Sequence, residues 1–490
     1  MGKKFYKKLL ALGISVSLSV TALAGCGTKV AEETAKTGET ETATEVQEVA
    51  DTEKKTDTEP VTEQMTFPLP DGPEEAEIYV EPVEGISDDF IRGMDASAVL
   101  SVENSGATYY NYDGEEQDVF MTLAQSGVNY IRLRVWNDPY DVDGNGYGGG
   151  NNDVPTAITL GKRATKYGMK VCVDFHYSDF WADPKRQHAP KAWEELSAEE
   201  KCTALYNFTK DSLTQMLDAG IDVGMVQVGN EINNGMAGEE DVSAVMSLIS
   251  AGSRAVREVA ENYQKDIQVA VHYTNIEDNE EVDTMAANLA DAGVDYDLFG
   301  LSYYPFWDGT NENMQNVARN IEEKYGKKVY IAETSYCYTS EDGDGFDNSL
   351  KGTDDLVDGY AATVQSQATM IRDICAAANE ADVLGVFYWE GTWIPVGEQN
   401  ADNSALWEKY GSGWASSYSA DYDPDDAGLY YGGCSWDNQA MFDFTGHPLA
   451  SLNVFKYLKY GATAPLAVDF IPEVSVTCDV GGEVTLPQQI

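Results

Sequence analysis

Eight short apolar runs, rich in β-branched residues and each ending in polar or aromatic residues, recur between about Phe90 and Gly461. Such runs are typical of buried strands. The runs begin at Phe90, Asn129, Lys170, Val223, Ile267, Tyr296, Lys328 and Val383. Stretches with helical patterning lie between them, and strands that alternate with helices predict a parallel sheet with right-handed crossovers. Eight such units predict an α/β fold, specifically a (β/α)8 barrel.

Two glutamates stand at the ends of two of these runs, Glu231 in VGMVQVGNEINNG and Glu333 in KVYIAETSY. They are separated by 102 residues (333 minus 231), three steps of about 34, which is close to the length of one strand-helix-strand unit. This spacing puts them on the fourth and seventh strands, with both side chains at the C-terminal mouth of the barrel. Two carboxylates presented in this way are the working parts of a retaining glycosidase.

Several longer motifs are similar to those of glycoside hydrolase family 53, the endo-β-1,4-galactanases or arabinogalactan endo-β-1,4-galactosidases. The motifs are DFHYSDFWADPKRQHAPKAW, MVQVGNEINNG, SYYPFW, YIAETSY, YGSGWASSY and FYWEGTWIPVG. The resemblance covers roughly residues 88 to 460. It implies a clan-A barrel, a retaining mechanism, and cleavage within the β-1,4-galactan chains of pectic type I arabinogalactan.

The resemblance also assigns roles to the two glutamates. Glu231 matches the acid/base of the family, which needs a raised pKa to hold a proton for the leaving oxygen. Glu333 matches the nucleophile, which must be ionised to attack the anomeric carbon. A separation of about 5 to 5.5 Å between the carboxyl groups is expected for retention.

Polar residues beside the glutamates are candidates for a supporting role. Arg132 and Arg134 share one face of the second strand, because side chains alternate along a strand, and one of them could keep the nucleophile ionised. The family position favours Arg132, and the alternative for Arg134 is a structural salt bridge. Asn230 resembles the contact that the clan makes with the 2-hydroxyl of the sugar.

Other candidates stand at the ends of further strands. His176, Tyr303 and Tyr304 could hydrogen-bond to carboxylates or sugar there, although a single His or Tyr is more often a satisfied core residue. Trp181, Trp389 and Trp393 lie at or just beyond strand ends, where flat aromatic surfaces suit the apolar faces of a neutral sugar.

An acidic loop, DGDGFDN, follows the nucleophile strand. The family resemblance implies a calcium site there, joined to the loop after the eighth strand, and carboxylate and carbonyl oxygens are the ligands that Ca²⁺ prefers. The alternative is a solvated acidic loop. Phe346 and Cys434 replace a His and a Ser of the family, which is tolerable if both ligate through backbone carbonyls. The implied set is Asp342, Asp344, Phe346, Asn348, Cys434 and Asp437.

The N-terminus resembles an export signal. Lysines precede an apolar stretch that ends in LAGC, a pattern similar to a bacterial lipobox. We therefore predict a lipoprotein signal peptide at 1–25, a lipid anchor on Cys26 at the outer face of the membrane, and a disordered Thr/Glu-rich tether at 26–85. An ordinary signal peptide is the alternative. The catalytic barrel is predicted at 86–462, and 463–490 reads as a short β segment, similar to the start of a truncated Ig-like module.

The charge composition excludes several classes of binding partner. The net charge is −51, from 32 basic and 83 acidic residues, which argues against nucleic acid, anionic lipid and polyanionic substrates. A neutral galactan meets no such repulsion. We expect a monomer with structural calcium and no organic cofactor.

Two other functions are compatible with parts of the pattern. One is another clan-A retaining endo-glycosidase, such as a mannanase or xylanase. The other is a non-catalytic oligosaccharide-binding lipoprotein, which would have no need of both glutamates. The chain also departs from the family at Gly391 and Thr392, where WEGTW replaces the usual WEPAW.

Overall fold

The computed structural model of the protein describes residues 60–399 and 401–465. Eight parallel strands, β1 to β8, pair in chain order and close into a barrel when β8 pairs with β1. This confirms the predicted (β/α)8 fold. The strands are β1 Ile91–Asp95, β2 Tyr130–Val135, β3 Lys170–Phe175, β4 Val223–Val228, β5 Gln268–Tyr273, β6 Leu298–Ser302, β7 Lys328–Glu333 and β8 Gly385–Tyr388.

Helices connect the strands and cover the barrel. The helices are α1 Val99–Asn104, α2 Val119–Gln125, α3 Val154–Lys166, α4 Ala198–Asp218, α5 Val242–Tyr263, α6 Asn279–Asp291, α7 Asn311–Tyr325, α8 Val364–Glu380, α9 Ser404–Tyr410, α10 Ala427–Tyr430 and α11 Val454–Tyr457. Their ends follow local chemistry: Asp153 caps α3 by accepting from Thr156 N at 2.9 Å, and Ser197 and Glu200 form a capping box on α4. Gly326 ends α7 with a left-handed φ of 65°.

The barrel interior changes from apolar to polar along the strands. Its N-terminal part is filled by a buried cluster that includes Tyr130, Met225, Tyr330 and Phe387. Further along the same strands, the inward positions carry buried charged and amide groups. Because side chains alternate along a strand, Tyr130 and Arg132 share the inward face of β2. The apolar cluster therefore lies directly beneath the polar site and supports it.

The segment at 60–85 packs against the barrel. Val61 N donates to Ala219 O at 3.2 Å, and the two-residue strand Glu74–Glu75 pairs with Ala462–Thr463. The buried side chains of this segment are Ile78, Val80 and Val83. The prediction of a disordered tether up to residue 85 is thus wrong for 60–85, because these apolar side chains join the core.

The predicted signal peptide, Cys26, the tether up to residue 59 and nearly all of the C-terminal segment 463–490 lie outside the described residues. Within the described ranges, no helix is long and apolar enough to cross a membrane.

Candidate active site

The two predicted glutamates both lie at the C-terminal mouth of the barrel. Glu333 is the last residue of β7 and is buried, whereas Glu231 follows β4 and is partly exposed. Glu231 adopts a left-handed φ of 45°, a conformation that non-glycine residues rarely take and that is found preferentially at functional sites. The turn redirects the chain at the point where the side chain must face the mouth.

Arg132 binds the nucleophile candidate from inside the barrel. Its Nη1 lies 2.9 Å from Glu333 Oε1 and 2.9 Å from Asp95 Oδ2, and its Nη2 lies 2.8 Å from Asp174 Oδ2. The guanidinium is 1 % exposed, so these ion pairs are not screened by water. Arg132, and not Arg134, is therefore the arginine that pairs with Glu333.

Glu333 has two donors that favour its ionised form. Besides Arg132, the Tyr304 hydroxyl donates to Glu333 Oε2 at 2.9 Å. Burial raises the pKa of Glu333, while the charge of Arg132 and the Tyr304 hydrogen bond oppose that rise. Of the two glutamates, Glu333 is therefore the one that gives up its proton first.

Glu231 has no cationic partner among the described residues. Its side chain accepts one hydrogen bond, from the Ser302 hydroxyl to Oε1 at 2.6 Å. Burial, together with the negative charge of Glu333, raises the pKa of Glu231 well above its ordinary value. Glu231 is thus suited to hold a proton at neutral pH, as a general acid must.

Arg134 forms a second buried ion pair beside the first. Its Nη1 pairs with Glu390, the residue after Trp389, and its Nη2 donates to Gly149 O at 2.8 Å. The guanidinium carbon also lies 4.2 Å from the ring centre of Trp181. This geometry supports the alternative of a structural salt bridge for Arg134, because its side chain joins the loops after β2, β3 and β8.

Asn230 and His176 both help to place the loops around the glutamates. Asn230 Oδ1 accepts from Arg132 Nη2 at 2.7 Å, and Asn230 Nδ2 donates to Ala182 O at 2.8 Å. Ala182 N donates to His176 Nδ1 at 3.0 Å, which leaves Nε2 of the neutral ring to donate to Asp174 at 3.1 Å. Asn230 has one more amide hydrogen, which a sugar hydroxyl could accept.

Tyr303 is not part of the site. Its hydroxyl has two acceptors within reach, Gly309 O at 3.1 Å and Asn311 Oδ1 at 3.0 Å, just before and at the start of α7. Successive strand residues face opposite sides, so Tyr303 points to the helical layer when its neighbour Tyr304 points to the mouth.

Aromatic rings form one wall of the mouth. The ring centres of Trp181 and Trp389 are 6.1 Å apart, those of Trp389 and Trp436 are 5.0 Å apart, and Trp436 lies 5.9 Å from Trp307. Trp393 was predicted to be part of this surface, but it is 1 % exposed and its Nε1 donates to Ser412 O at 2.8 Å. Trp393 therefore supports the wall from behind.

Several buried groups of the site are not among the residues predicted from the sequence. They share one signal, a polar residue at an inward position of an otherwise apolar strand or at its end. The missed residues are Asp95, Asp174, Gln227, His272, Ser302 and Glu390.

An acidic cluster lies in the loops after β7 and β8. One carboxylate oxygen each from Asp342, Asp344 and Asp437 lies within 4.8 Å of the others. Asn348 Nδ2 donates to Asp437 Oδ1 at 2.8 Å, and Cys434 N donates to Asp344 Oδ2 at 2.7 Å. The structure thus brings these members of the predicted calcium set together. Phe346 N donates to Asp344 Oδ1 at 2.8 Å, and the Phe346 ring packs against Gly432.

Two glutamates at the mouth of a (β/α)8 barrel, one paired with an arginine and the other bound only by a hydroxyl among the described residues, are the arrangement typical of a retaining glycoside hydrolase. Residues 91–455 match the family described as Glycosyl hydrolase family 53. The chain is 55% identical over 389 residues to an endo-beta-1,4-galactanase of Bacillus subtilis, covering 79% of this chain and 90% of the relative. It is 32% identical over 346 residues to an arabinogalactan endo-beta-1,4-galactanase of Cellvibrio japonicus, covering 68% of this chain and 87% of the relative. The chain belongs to glycosyl hydrolase family 53.

Solved structures agree with this assignment. The GH53 catalytic domain of Ignisphaera aggregans superimposes with a TM-score of 0.69 at 38% identity, covering 78% of this chain and 99% of that domain. A structure from a study of two fungal beta-1,4-galactanases gives a TM-score of 0.59 at 26% identity, covering 75% of this chain and 98% of that one.

Replacement of Tyr304 by Phe tests how Glu333 is kept ionised. Loss of the hydroxyl removes a hydrogen bond that favours the carboxylate, so the pKa of Glu333 rises. Because activity needs ionised Glu333 and is lost as the pH falls through its pKa, the acidic limb of the kcat/KM profile should move to higher pH. We expect kcat/KM near neutral pH to fall about 10- to 100-fold.

The matched control for this prediction is Tyr303→Phe. It removes a hydroxyl from the adjacent residue that faces the helical layer, and should leave the acidic limb where it is. An acidic limb unchanged in Tyr304→Phe would contradict the role given to the Tyr304 hydroxyl.

Proposed function

We propose that the protein is a retaining endo-β-1,4-galactanase acting on pectic galactan. The observation that carries the proposal is the unequal environment of the two glutamates, since Arg132 and Tyr304 favour an ionised Glu333 while Glu231 has only the Ser302 hydroxyl. The galactanase names of relatives that align over most of this chain support the substrate.

The first chemical step uses the two glutamates together. Glu333 attacks the anomeric carbon and forms a C–O bond, the glycosidic C–O bond breaks, and the Glu231 proton passes to the leaving oxygen. In the second step Glu231, now a carboxylate, removes a proton from water. The water oxygen bonds to the anomeric carbon and Glu333 leaves, so the sugar keeps its original configuration.

The groove suits a neutral polymer. The net charge of −51 repels polyanions, and the wall of tryptophans offers flat surfaces to the apolar faces of galactose rings.

Hydrolysis of linear β-1,4-galactan tests the function. We expect release of short oligosaccharides from this polymer, and no release from mannan, xylan or β-1,3-galactan. Proton NMR at early times should show the β-anomer of the new reducing end first, because two inversions restore the configuration.

The control for this assay is Glu333→Gln, which is close in size and cannot act as the nucleophile. It should lose nearly all activity while remaining folded. An α-anomer formed first would overturn retention, and release from mannan or xylan in preference to galactan would overturn the substrate.

We propose that the acidic cluster binds a structural calcium ion. Asp437 and Asp344 are buried, and within the described part of the chain neither forms an ion pair with a basic side chain. Burial, with the charge of Asp344, raises the pKa of Asp437 to about 8, and Asn348 Oδ1 is buried without a hydrogen-bond partner. A hard divalent cation would neutralise the carboxylates and satisfy this oxygen. Because Ca²⁺ takes oxygen ligands, Phe346 and Cys434 could contribute only their backbone carbonyls.

Thermal unfolding with and without calcium tests this site. Calcium at 100 times its dissociation constant should stabilise the protein by about 2.7 kcal/mol relative to chelator, seen as a higher Tm. Asp437→Asn should abolish the calcium-dependent shift, whereas Asp141→Asn, in an acidic loop outside the cluster, should keep it. An equal Tm in calcium and in chelator would contradict the proposal.

We also propose that the enzyme is exported and held at the outer face of the cell membrane by a lipid on Cys26. The lipobox-like LAGC supports this. The full-length chain expressed in bacteria should enter the detergent phase on phase separation, and Cys26→Ser should move it to the aqueous phase. Recovery of the unchanged chain in the aqueous phase would exclude the anchor.

A further inference from the structure

A chain of buried polar side chains reaches Glu231 from behind. It runs from Gln227 in β4 through His272 in β5 to Ser302 at the end of β6, and Gln227, His272 and Ser302 are each 0% exposed. We propose that Ser302 and His272 are positioning residues that direct the acid proton of Glu231 onto its outer oxygen, Oε2. The inference deepens the proposed function, on which it rests.

Contacts along this chain are short and specific. Ser302 Oγ lies 2.6 Å from Glu231 Oε1 and 2.9 Å from His272 Nε2. At the other side of the ring, His272 Nδ1 lies 3.2 Å from Gln227 Nε2 and 2.9 Å from Asn230 Oδ1. Burial, together with the charge of Arg132, holds the pKa of His272 well below its usual value, so the ring carries one N–H.

Two hydrogen-bond arrangements can be drawn for these atoms, and each leaves one neighbour of His272 Nδ1 unpaired with it, Asn230 Oδ1 in the first and Gln227 Nε2 in the second. In the first, His272 Nε2–H donates to Ser302, the Ser302 hydroxyl donates to Glu231 Oε1, and Nδ1 accepts from Gln227. In the second, Nδ1–H donates to Asn230, Ser302 donates to Nε2, and Glu231 must carry its proton on Oε1. The second arrangement points the proton back at Ser302, where it cannot reach a leaving group.

Only the first arrangement serves the whole catalytic cycle. When Glu231 is the acid, Oε1 accepts from Ser302 and the proton sits on Oε2, which has no hydrogen bond within the described residues. When Glu231 is the base, its carboxylate still accepts from Ser302, so nothing behind it has to reorient. Such preorganisation avoids a rearrangement at the moment of reaction.

The titratable groups that face Glu231 act in one direction. Burial and the carboxylates of Glu333, Asp183 and Asp308 all raise the pKa of Glu231, and the Ser302 hydrogen bond lowers it. Removing the Ser302 hydroxyl should therefore raise the pKa further, and activity that needs the protonated acid should persist to higher pH.

Substrates with different leaving groups test the inference. Ser302→Ala should lower kcat/KM on β-1,4-galactotetraose about 10- to 100-fold, because its sugar leaving group needs the acid proton. With 2,4-dinitrophenyl β-galactobioside, whose leaving group needs no proton, kcat/KM should stay within about twofold. The basic limb of the galactotetraose profile should move to higher pH.

His272 is tested by a pair of variants. His272→Gln keeps a side-chain N–H donor, whereas His272→Leu has none, so Gln should retain more galactotetraose activity than Leu. Ser253→Ala is the matched control, since it removes a buried hydroxyl of α5 that donates to Asp295 O, away from the mouth.

Equal losses on both substrates would show a merely structural role and overturn the inference, as would an unchanged rate on galactotetraose in Ser302→Ala. The wild-type rates on galactan test the proposed function separately, because only the ratio of the two substrates in the variants reports on Ser302 and His272.

Discussion

The site is organised around the buried guanidinium of Arg132. It pairs with Asp95, Asp174 and Glu333, three carboxylates delivered by three different strands. Each of these groups would be costly to bury alone, because a charge removed from water needs a partner of opposite sign. The five N–H groups of its rigid plane serve these three carboxylates and two side-chain amide oxygens, and Lys, with three donor hydrogens, could not replace this arginine. The ion-pair network therefore joins the strands of the polar layer and favours the ionised form of Glu333.

The chemistry follows from an asymmetry in this layer. Arg132 stands on the side of Glu333, and the neutral pair of Ser302 and His272 stands behind Glu231. One carboxyl group is thus held by a cation and the other by a dipole, although burial raises the pKa of both. Double displacement requires one ionised and one protonated carboxyl group, and the position of the arginine on β2 favours Glu333 as the ionised one. The backbone does not have to move between the two steps.

The sequence predicted the barrel and both glutamates because those features are local patterns. Strand ends could be read from apolar runs, and the spacing of Glu231 and Glu333 followed from the repeat. The alternation along β2 placed both Arg132 and Arg134 on the inward face, and the family resemblance favoured Arg132. The partners of Arg132 could not be found in this way, since Asp95 and Asp174 meet it only after β1, β2 and β3 pair in register. Trp393 and Tyr303 were predicted to line the site and do not, for a related reason. A position near a strand end does not determine whether the ring faces the mouth or the layers behind it.

The acidic cluster and the aromatic wall are connected through the backbone of the same loop. Trp436, which meets both Trp389 and Trp307 edge to face, is followed directly in the chain by Asp437 of the cluster. The loops after β7 and β8 are bonded there, through Asn348 and Asp437. A cation that tightens the carboxylates would therefore also fix the backbone that carries Trp436. Stacking against a sugar ring depends on the orientation of the indole, so loss of the ion would raise KM for the polymer. The glutamates are held separately by the strands, so kcat would fall less.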